Sequence, residues 1–197
     1  MKAYQQTVLM AASRLLGYPT REDLYDVETL VKTMDGPESV KQMLRDAAES
    51  ICRKPLHDLE ELYVATFDLN EKAGLYLSAH EFGDSPKRGA ALIKLQKTVN
   101  QAGYERVGDE LADYIPMLYE LIAVTSDDVN HERLLKRLGA VTQRIFNHLP
   151  ETNPYYGIFS VLMQEIFEQP SESDLEKMER EREEADLEEL PYPIMYN

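Results

Sequence analysis

Apolar residues recur every three or four positions along almost the whole chain, and this spacing limits the fold more than any other feature of the sequence. In the first segment the stripe consists of Tyr4, Val8, Ala12 and Leu15. Gly17 and Pro19 then end that helix. No run of alternating apolar and polar residues is longer than a few positions. The sequence therefore predicts an all-α fold, a single helical-bundle domain of about eight or nine helices.

Capping and turn residues divide this pattern into helices. Thr20 is predicted to cap the second helix, and Pro55 to open the fourth. Ser85 is predicted to be the N-cap of a later helix with Pro86 at its first position, and Gly103 to be the left-handed residue at its end. Each of these residues has a local conformational reason for its place, so none of them needs a functional one.

Residues 109–124 continue the helical spacing, and we expect one helix over the whole range. Its predicted buried face consists of Leu111, Ile115, Leu118 and Ile122. Pro116 would lie in the first turns of this helix or kink it. A last pair of helices is expected beyond it, and the final one is predicted to open near Asn153.

The composition changes after residue 170. Residues 171–197 contain ten acidic and three basic side chains, a net charge of −7. We therefore expect two parts, an all-helical domain over residues 1–169 and an acidic C-terminal tail over residues 170–197. Such a charged stretch with little apolar spacing is expected to be mobile or a loose helix.

Charge and cysteine content exclude several classes of protein. The formal net charge of −15 disfavours binding to a nucleic-acid backbone or to an anionic membrane surface. A single cysteine, Cys52, excludes an internal disulfide and is compatible with a reducing compartment. No apolar run reaches the ~18 residues of a membrane span, and the first residues lack the core of a signal peptide. The expected localisation is cytoplasmic.

The usual catalytic and metal-binding motifs are absent from the sequence. The four histidines do not form HxxxH, HExxH or Glu-x-x-His, and there is no P-loop, GxGxxG or G-x-S-x-G. Cys52 lies on a helix stripe, where packing is a simpler role than nucleophilic attack. We therefore expect no catalytic residues, no metal site and no enzyme activity, with a metal- or cofactor-dependent helical enzyme as the weakest alternative.

Several motifs in a fixed order carry a resemblance to a known family. They are YVATFDL (63–69), LYLSAHEFGD (75–84), KRGAAL (87–92), AGY (102–104), ELADYIPMLYEL (110–121), NPYYGIFSVLMQ (153–164) and the final PYPIMY. Together they resemble the NarJ-type nitrate reductase assembly chaperones, the delta subunits, which belong with the TorD and DmsD group. The resemblance covers roughly residues 9–167. One departure is Ala112, which stands where the family usually has proline.

The resemblance implies a cytoplasmic, non-catalytic chaperone. Its partner would be the catalytic (alpha) subunit of a respiratory nitrate reductase, recognised by its N-terminal peptide and held open for insertion of the molybdenum cofactor before membrane docking. That cofactor belongs to the client, so none is assigned to this chain. Cofactor-delivery proteins are left open as further partners, and the chain is expected to be a monomer or a weak homodimer.

The residues that we expect to bind the peptide lie in three of these motif regions and around one groove. They are Tyr63, Phe67, Tyr76, His80, Glu110, Asp113, Tyr114 and Met117. An amphipathic peptide needs an apolar trough with polar groups at its rim, and these residue types supply both, although core packing would equally explain the aromatic ones. Capping of a helix is the alternative role for Asp109 and Asp113.

Arg88 is expected to be a structural strut together with Asp84. Its guanidinium could pair with Asp84, with Asp113 or with a client carboxylate, and an internal strut that joins the two loops is the interpretation favoured here. Two alternatives to the nitrate reductase chaperone stay open. One is a maturation chaperone of another molybdoenzyme, and the other is a helical adaptor that binds an amphipathic peptide without any role in cofactor loading.

Overall fold

The computed structural model describes residues 1–105, 108–125 and 129–170. Within these residues there are nine α-helices and no strand beyond one isolated bridge. The helices are α1 (Ala3–Leu15), α2 (Arg21–Thr33), α3 (Glu38–Cys52), α4 (Leu56–Tyr63), α5 (Leu77–Phe82), α6 (Lys87–Gln101), α7 (Ile115–Val124), α8 (Val129–His148) and α9 (Tyr156–Glu165). The predicted all-α fold is confirmed.

The predicted helix boundaries are largely confirmed by the cap geometry. The Thr20 hydroxyl accepts a hydrogen bond from the Asp23 N–H at 3.1 Å, and this bond fixes the start of α2. The Ser85 hydroxyl accepts from the Lys87 N–H at 3.3 Å, while Pro86 already has helical dihedral angles. Gly103 has a φ of 83°, the left-handed conformation that ends α6.

The prediction of one helix over residues 109–124 is wrong in its first half. The helix α7 begins at Ile115, with Pro116 in its first turn, and residues 109–114 form an irregular loop. Leu111, which we expected in the core, is 42% exposed. The reason is tertiary, because backbone groups of this loop hydrogen-bond to the segment before α5 instead of to the next helical turn.

The core forms where five helices meet. The helix α1 packs against α2, α7 and α9, and α3 packs against α9. The approach of α3 and α9 is close because Gly157 has no side chain, and a Cβ at that position would lie 3.2 Å from the Cα of Ala47. The predicted stripe of α8 is buried as expected; it consists of Leu134, Leu138, Val141 and Ile145, and the buried Leu149 follows directly after the helix end.

Two sequence predictions remain, one on the acidic tail and one on membrane spans. The acidic tail, residues 171–197, lies outside the described residues, so the division at residue 169 stays a prediction. None of the described helices is both long enough and apolar enough to cross a membrane.

Candidate functional site

The loop before α7 is attached to the segment before α5 by an antiparallel bridge. The Leu77 N–H donates to the Asp113 carbonyl oxygen, and the Ile115 N–H donates to the Leu75 carbonyl oxygen, each at 2.9 Å. These two bonds satisfy backbone groups at the first positions of α5 and α7, where a helix has no internal partners to offer. The bridge brings two motif regions together although 35 or more residues separate them.

Asp113 links the bridge to α5 and α6. Its carboxylate is fully buried, and Oδ2 accepts hydrogen bonds from the Ser78 N–H at 3.1 Å and from the Ser78 hydroxyl. Asp113 therefore caps α5 from a distant part of the chain, while the residue at the N-cap position, Tyr76, provides no side-chain bond. The expected capping role is found, but at another helix.

Arg88 is the strut that joins α6 to this loop. Its Nε donates to the Ser78 hydroxyl at 3.3 Å, and Nη2 lies 4.0 Å from Oδ2 of Asp113. Asp84 does not share in the strut, because its side chain is exposed and forms no ion pair with Arg88 within the described part of the chain. Of the pairings that the sequence left open for Arg88, the structure shows the one with Asp113.

Two tyrosine hydroxyl groups meet beside the bridge. The hydroxyl groups of Tyr63 and Tyr114 lie 2.9 Å apart, and Tyr114 donates to the Leu16 carbonyl oxygen at 3.3 Å. Because Tyr114 has one proton to give, Tyr63 must be the donor of the pair. Burial raises the pKa of Tyr114 to about 12, and burial followed by the proximity of Tyr114 raises the pKa of Tyr63 further.

Aromatic rings surround this hydroxyl pair. The helix α4 runs on into a π-helical turn, Val64–Asp68, which carries Phe67. The ring of Tyr63 meets those of Phe67 and Tyr18 edge-on, at centroid distances of 5.2 and 5.4 Å, and Phe67 meets Tyr155 at 4.8 Å. Edge-to-face contacts at these distances are favourable. Tyr18 is half exposed, so the cluster reaches the surface there.

Two carboxylates lie at the edge of the aromatic cluster. The Tyr76 hydroxyl donates to Oε2 of Glu110 at 2.6 Å, and the Tyr76 ring lies 5.6 Å from that of Tyr114. Burial, and then the charge of Glu110, raises the pKa of Asp68. A carboxylate whose charged form is disfavoured in this way is a place where a cation gains free energy by binding. We call Tyr18, Tyr76, Asp68 and Glu110 the acidic aromatic rim.

His80 and Met117 make different contacts. Nε2 of His80 lies 2.6 Å from the Gly74 carbonyl oxygen, which can only accept, so this nitrogen carries the proton. Arg144 of α8 lies on the other side and donates to the His80 carbonyl oxygen at 3.3 Å. His80 thus connects the loop before α5 to α8. Met117 is half-buried and packs against the core.

The structure divides the predicted peptide-binding residues by accessibility. The buried ones are Tyr63, Phe67, His80, Asp113 and Tyr114, and those with accessible surface are Tyr76, Glu110 and Met117. Contacts bring together all of them except His80 and Met117. Sequence reasoning missed Tyr18, Asp68, Ser78 and Tyr155. All but Tyr18 stand inside the motif strings, but no local spacing indicates that they converge.

Two observations concern metal ligands and the reactivity of the single cysteine in the described part of the chain. Among them no group of three or more histidine, cysteine, aspartate or glutamate side chains could hold a metal ion. Burial, and secondarily the charge of Glu28, raises the pKa of Cys52 to about 11. A thiol with that pKa is protonated at neutral pH and is a poor nucleophile.

Comparison with known proteins confirms the resemblance that the motifs indicate. No protein-family model matches the sequence. The chain is 29% identical over 142 residues to the probable nitrate reductase molybdenum cofactor assembly chaperone NarJ of Bacillus subtilis (strain 168), covering 71% of this chain and 77% of that protein. It is 28% identical over 123 residues to the probable chaperone NarW of Escherichia coli (strain K12), 62% of this chain but only 53% of that one. The nitrate reductase molybdenum cofactor assembly chaperone NarJ of the same strain is 24% identical to the chain over 174 residues, which are 84% of this chain and 72% of that protein.

Proposed function

This chain is a homologue of the NarJ-type nitrate reductase molybdenum cofactor assembly chaperones, and we propose that it is itself the assembly chaperone of a nitrate reductase. Its client is the apo form of the catalytic subunit, which it binds by the N-terminal peptide and holds competent for cofactor insertion before membrane docking. The molybdenum cofactor is part of the client. The chain itself acts by binding and not by catalysis.

The observation that carries the peptide-binding proposal is the acidic aromatic rim. It combines accessible ring surface, at Tyr18 and Tyr76, with the two carboxylates of Asp68 and Glu110. A peptide with an apolar face and a lysine, an arginine or a free amino terminus fits this chemistry, because the rings bury its apolar side chains and the carboxylates bind its positive charge. Burial, and secondarily the charge of Glu110, raises the pKa of Asp68, and a bound cation offsets the second of these contributions.

The buried members of the predicted set support the rim from beneath. Tyr63 and Tyr114 fix the loop before α7 through their hydroxyl pair, and Asp113 attaches the same loop to α5. Glu110 lies on the loop before α7, and Tyr76 lies on the segment that the bridge pairs with this loop. These contacts therefore set the distance between the side chains of Glu110 and Tyr76. We therefore assign Tyr63, Phe67, Asp113 and Tyr114 to positioning the rim, with direct peptide contact at Tyr76 and Glu110. Met117, which has accessible surface on α7, is kept as a further contact outside the rim.

Calorimetry with the full chain tests this proposal. The titrant is a synthetic peptide of about 20 residues that matches the N-terminus of the cognate catalytic subunit. Its binding should show a negative heat-capacity change from apolar burial. Tyr76→Ala should weaken the affinity by more than ~1 kcal/mol if the ring is an anchor. The matched control is Tyr25→Ala, because Tyr25 is 71% exposed on α2 and belongs to no part of the rim.

Two results would count against the proposal. If the folded wild-type chain does not bind the peptide, peptide recognition is excluded. If the control at Tyr25 loses as much affinity as the variant at Tyr76, the peptide binds somewhere other than the rim. Circular dichroism of each variant separates a loss of binding from a loss of fold.

A further inference from the structure

The helix α6 has a charge that is opposite to that of the whole chain. Its 15 residues include Lys87, Arg88, Lys94 and Lys97 and no acidic residue, in a chain whose formal net charge is −15. The neighbouring part of α8 adds three further cations, and these are Arg133, Lys136 and Arg137. Against these seven positive charges the same stretch of α8 has one acidic residue, Glu132, so the two helices make a local surface that is cationic overall.

A cleft separates these two helices. It has a volume of about 370 Å³, and its wall includes the cations Lys94, Arg133 and Arg137 together with the apolar side chains of Leu95 and Leu134. Arg137 is already neutralised, because two of its nitrogens donate to the carboxylate of Glu81 at 2.6 Å. The cleft thus offers both apolar wall and positive charge.

Four of the seven cations have no counter-charge in the described part of the chain. They are Lys94, Lys97, Arg133 and Lys136, and none of them forms an ion pair with another described residue. Like charges that share one surface repel, and the free energy of this repulsion is recovered when an anionic group binds among them. Lys94 and Arg133 line the cleft itself.

The described chain ends against α8, the helix that supplies one wall of the cleft. Phe167, the last buried residue, packs against α8, where a Cβ on Gly139 would lie 3.3 Å from its ring. Arg133 is six residues from Gly139 along the helix, a rise of about 9 Å, and it lies on a different side of α8, so the chain must also pass around a helix ~10 Å wide. The first acidic residue beyond residue 170 is Glu172, and five extended residues span up to ~17 Å. The segment that follows is therefore long enough to reach the cleft.

We propose that residues 172–189 of the same chain dock on the cleft between α6 and α8, with their carboxylates paired to Lys94 and Arg133 of the cleft wall and to Lys136, which stands beside the wall residue Arg137 on α8. This segment contains ten acidic and three basic residues, so its net charge of −7 complements the surface. The acidic aromatic rim has the same sign as the segment and repels it. Docking on α6 and α8 therefore leaves the rim accessible, and it does not depend on the identity of any client.

Paramagnetic broadening in the full chain tests the docking. A nitroxide is attached through Ala185→Cys in a chain that also has Cys52→Ala, and the amide signals of the ¹⁵N-labelled protein are recorded. The broadening should concentrate on α6 and on the first half of α8. It should disappear in about 1 M salt, where the Debye length falls to ~3 Å, if ion pairs hold the segment in place.

Matched variants and a mixed sample make each outcome decisive. Replacing Lys94, Arg133 and Lys136 by glutamine should abolish the broadening, whereas replacing Lys32, Lys41 and Arg45 of α2 and α3 should preserve it. Broadening that is uniform, that lies on other helices or that survives the first triple substitution would overturn the proposal. In a mixed sample, ¹⁵N-labelled chains without nitroxide are combined with unlabelled chains that carry it. Equal broadening in this sample would also overturn the proposal, because the segment would then dock on a second copy of the chain.

Discussion

The hydroxyl pair of Tyr63 and Tyr114 leads to the sharpest prediction about stability. Tyr114→Phe removes one oxygen atom and leaves the ring in place, so packing is unchanged. The variant loses the bond to Tyr63 at 2.9 Å and the bond to the Leu16 carbonyl oxygen at 3.3 Å. Tyr63 is only 4% exposed, so water cannot replace its lost acceptor without a movement of the chain.

The size of the effect follows from these contacts. A buried polar group that loses its partner costs ~1–3 kcal/mol, so we expect Tyr114→Phe to lower the free energy of unfolding by about 2 kcal/mol. With a urea m-value of ~1–3 kcal/mol/M, the midpoint of urea unfolding should fall by about 1 M at unchanged m-value. The matched control is Tyr76→Phe, whose hydroxyl bonds to the exposed Glu110 and should cost less than ~1 kcal/mol.

A double-mutant cycle completes this test. Tyr63→Phe and Tyr114→Phe together should cost less than the sum of the single changes, because the double variant leaves no tyrosine hydroxyl without its partner. The reasoning is refuted if Tyr114→Phe costs no more than Tyr76→Phe. It is also refuted if the two changes at 63 and 114 are additive.

Three further predictions follow from pKa shifts and close packing. The pKa of Tyr114 is about 12 in the fold and ~10 in an unfolded chain, so its contribution to stability is complete below pH ~10 and is lost as the pH rises towards 12. Because the chain has 12 tyrosines, this one ionisation is measured as the difference in tyrosinate absorbance between the wild-type chain and Tyr114→Phe. Burial, and secondarily the charge of Glu110, raises the pKa of Asp68, so the protonated side chain contributes to the free energy of unfolding below its unfolded pKa of ~3.9, and this contribution is lost at higher pH. Asp68→Asn should therefore raise the midpoint of urea unfolding at neutral pH but not in acid. The same variant should bind a cationic peptide more weakly in calorimetry. Gly157→Ala should lower the thermal midpoint, because the added Cβ would clash with α3 at a cost of ~1–3 kcal/mol. The control is Gly89→Ala on α6, where an added Cβ would meet no atom within 4 Å. This change should raise the thermal midpoint by the equivalent of ~0.5–1 kcal/mol.

Local spacing was enough to predict the helices, because each buried stripe and each cap is a short-range feature. Thr20, Ser85 and Gly103 act where the sequence placed them. The loop at residues 109–114 could not be predicted in the same way, since Leu111 and Ile115 have helical spacing by coincidence. What prevents the helix there is a backbone bridge to a segment 35 or more residues away, and no local pattern encodes such a partner.

The candidate site was predicted in its composition but not in its arrangement. The motifs named Tyr63, Tyr76, Glu110 and Tyr114, and the structure does bring these side chains together. Which of them would be buried could not be predicted, because an aromatic ring suits a core and a binding surface equally well. Asp68 was missed for a related reason, since its significance depends on the proximity of Glu110 and not on its neighbours in sequence.

The molybdenum content of the client enzyme tests the central claim most directly. The cognate nitrate reductase is purified from cells that lack this chain and from cells in which it has been restored, and the metal is measured per catalytic subunit. If the chain is the assembly chaperone, the reductase from deficient cells should contain little molybdenum, and restoring the wild-type chain should restore the metal. Full molybdenum content in the absence of the chain would contradict the account.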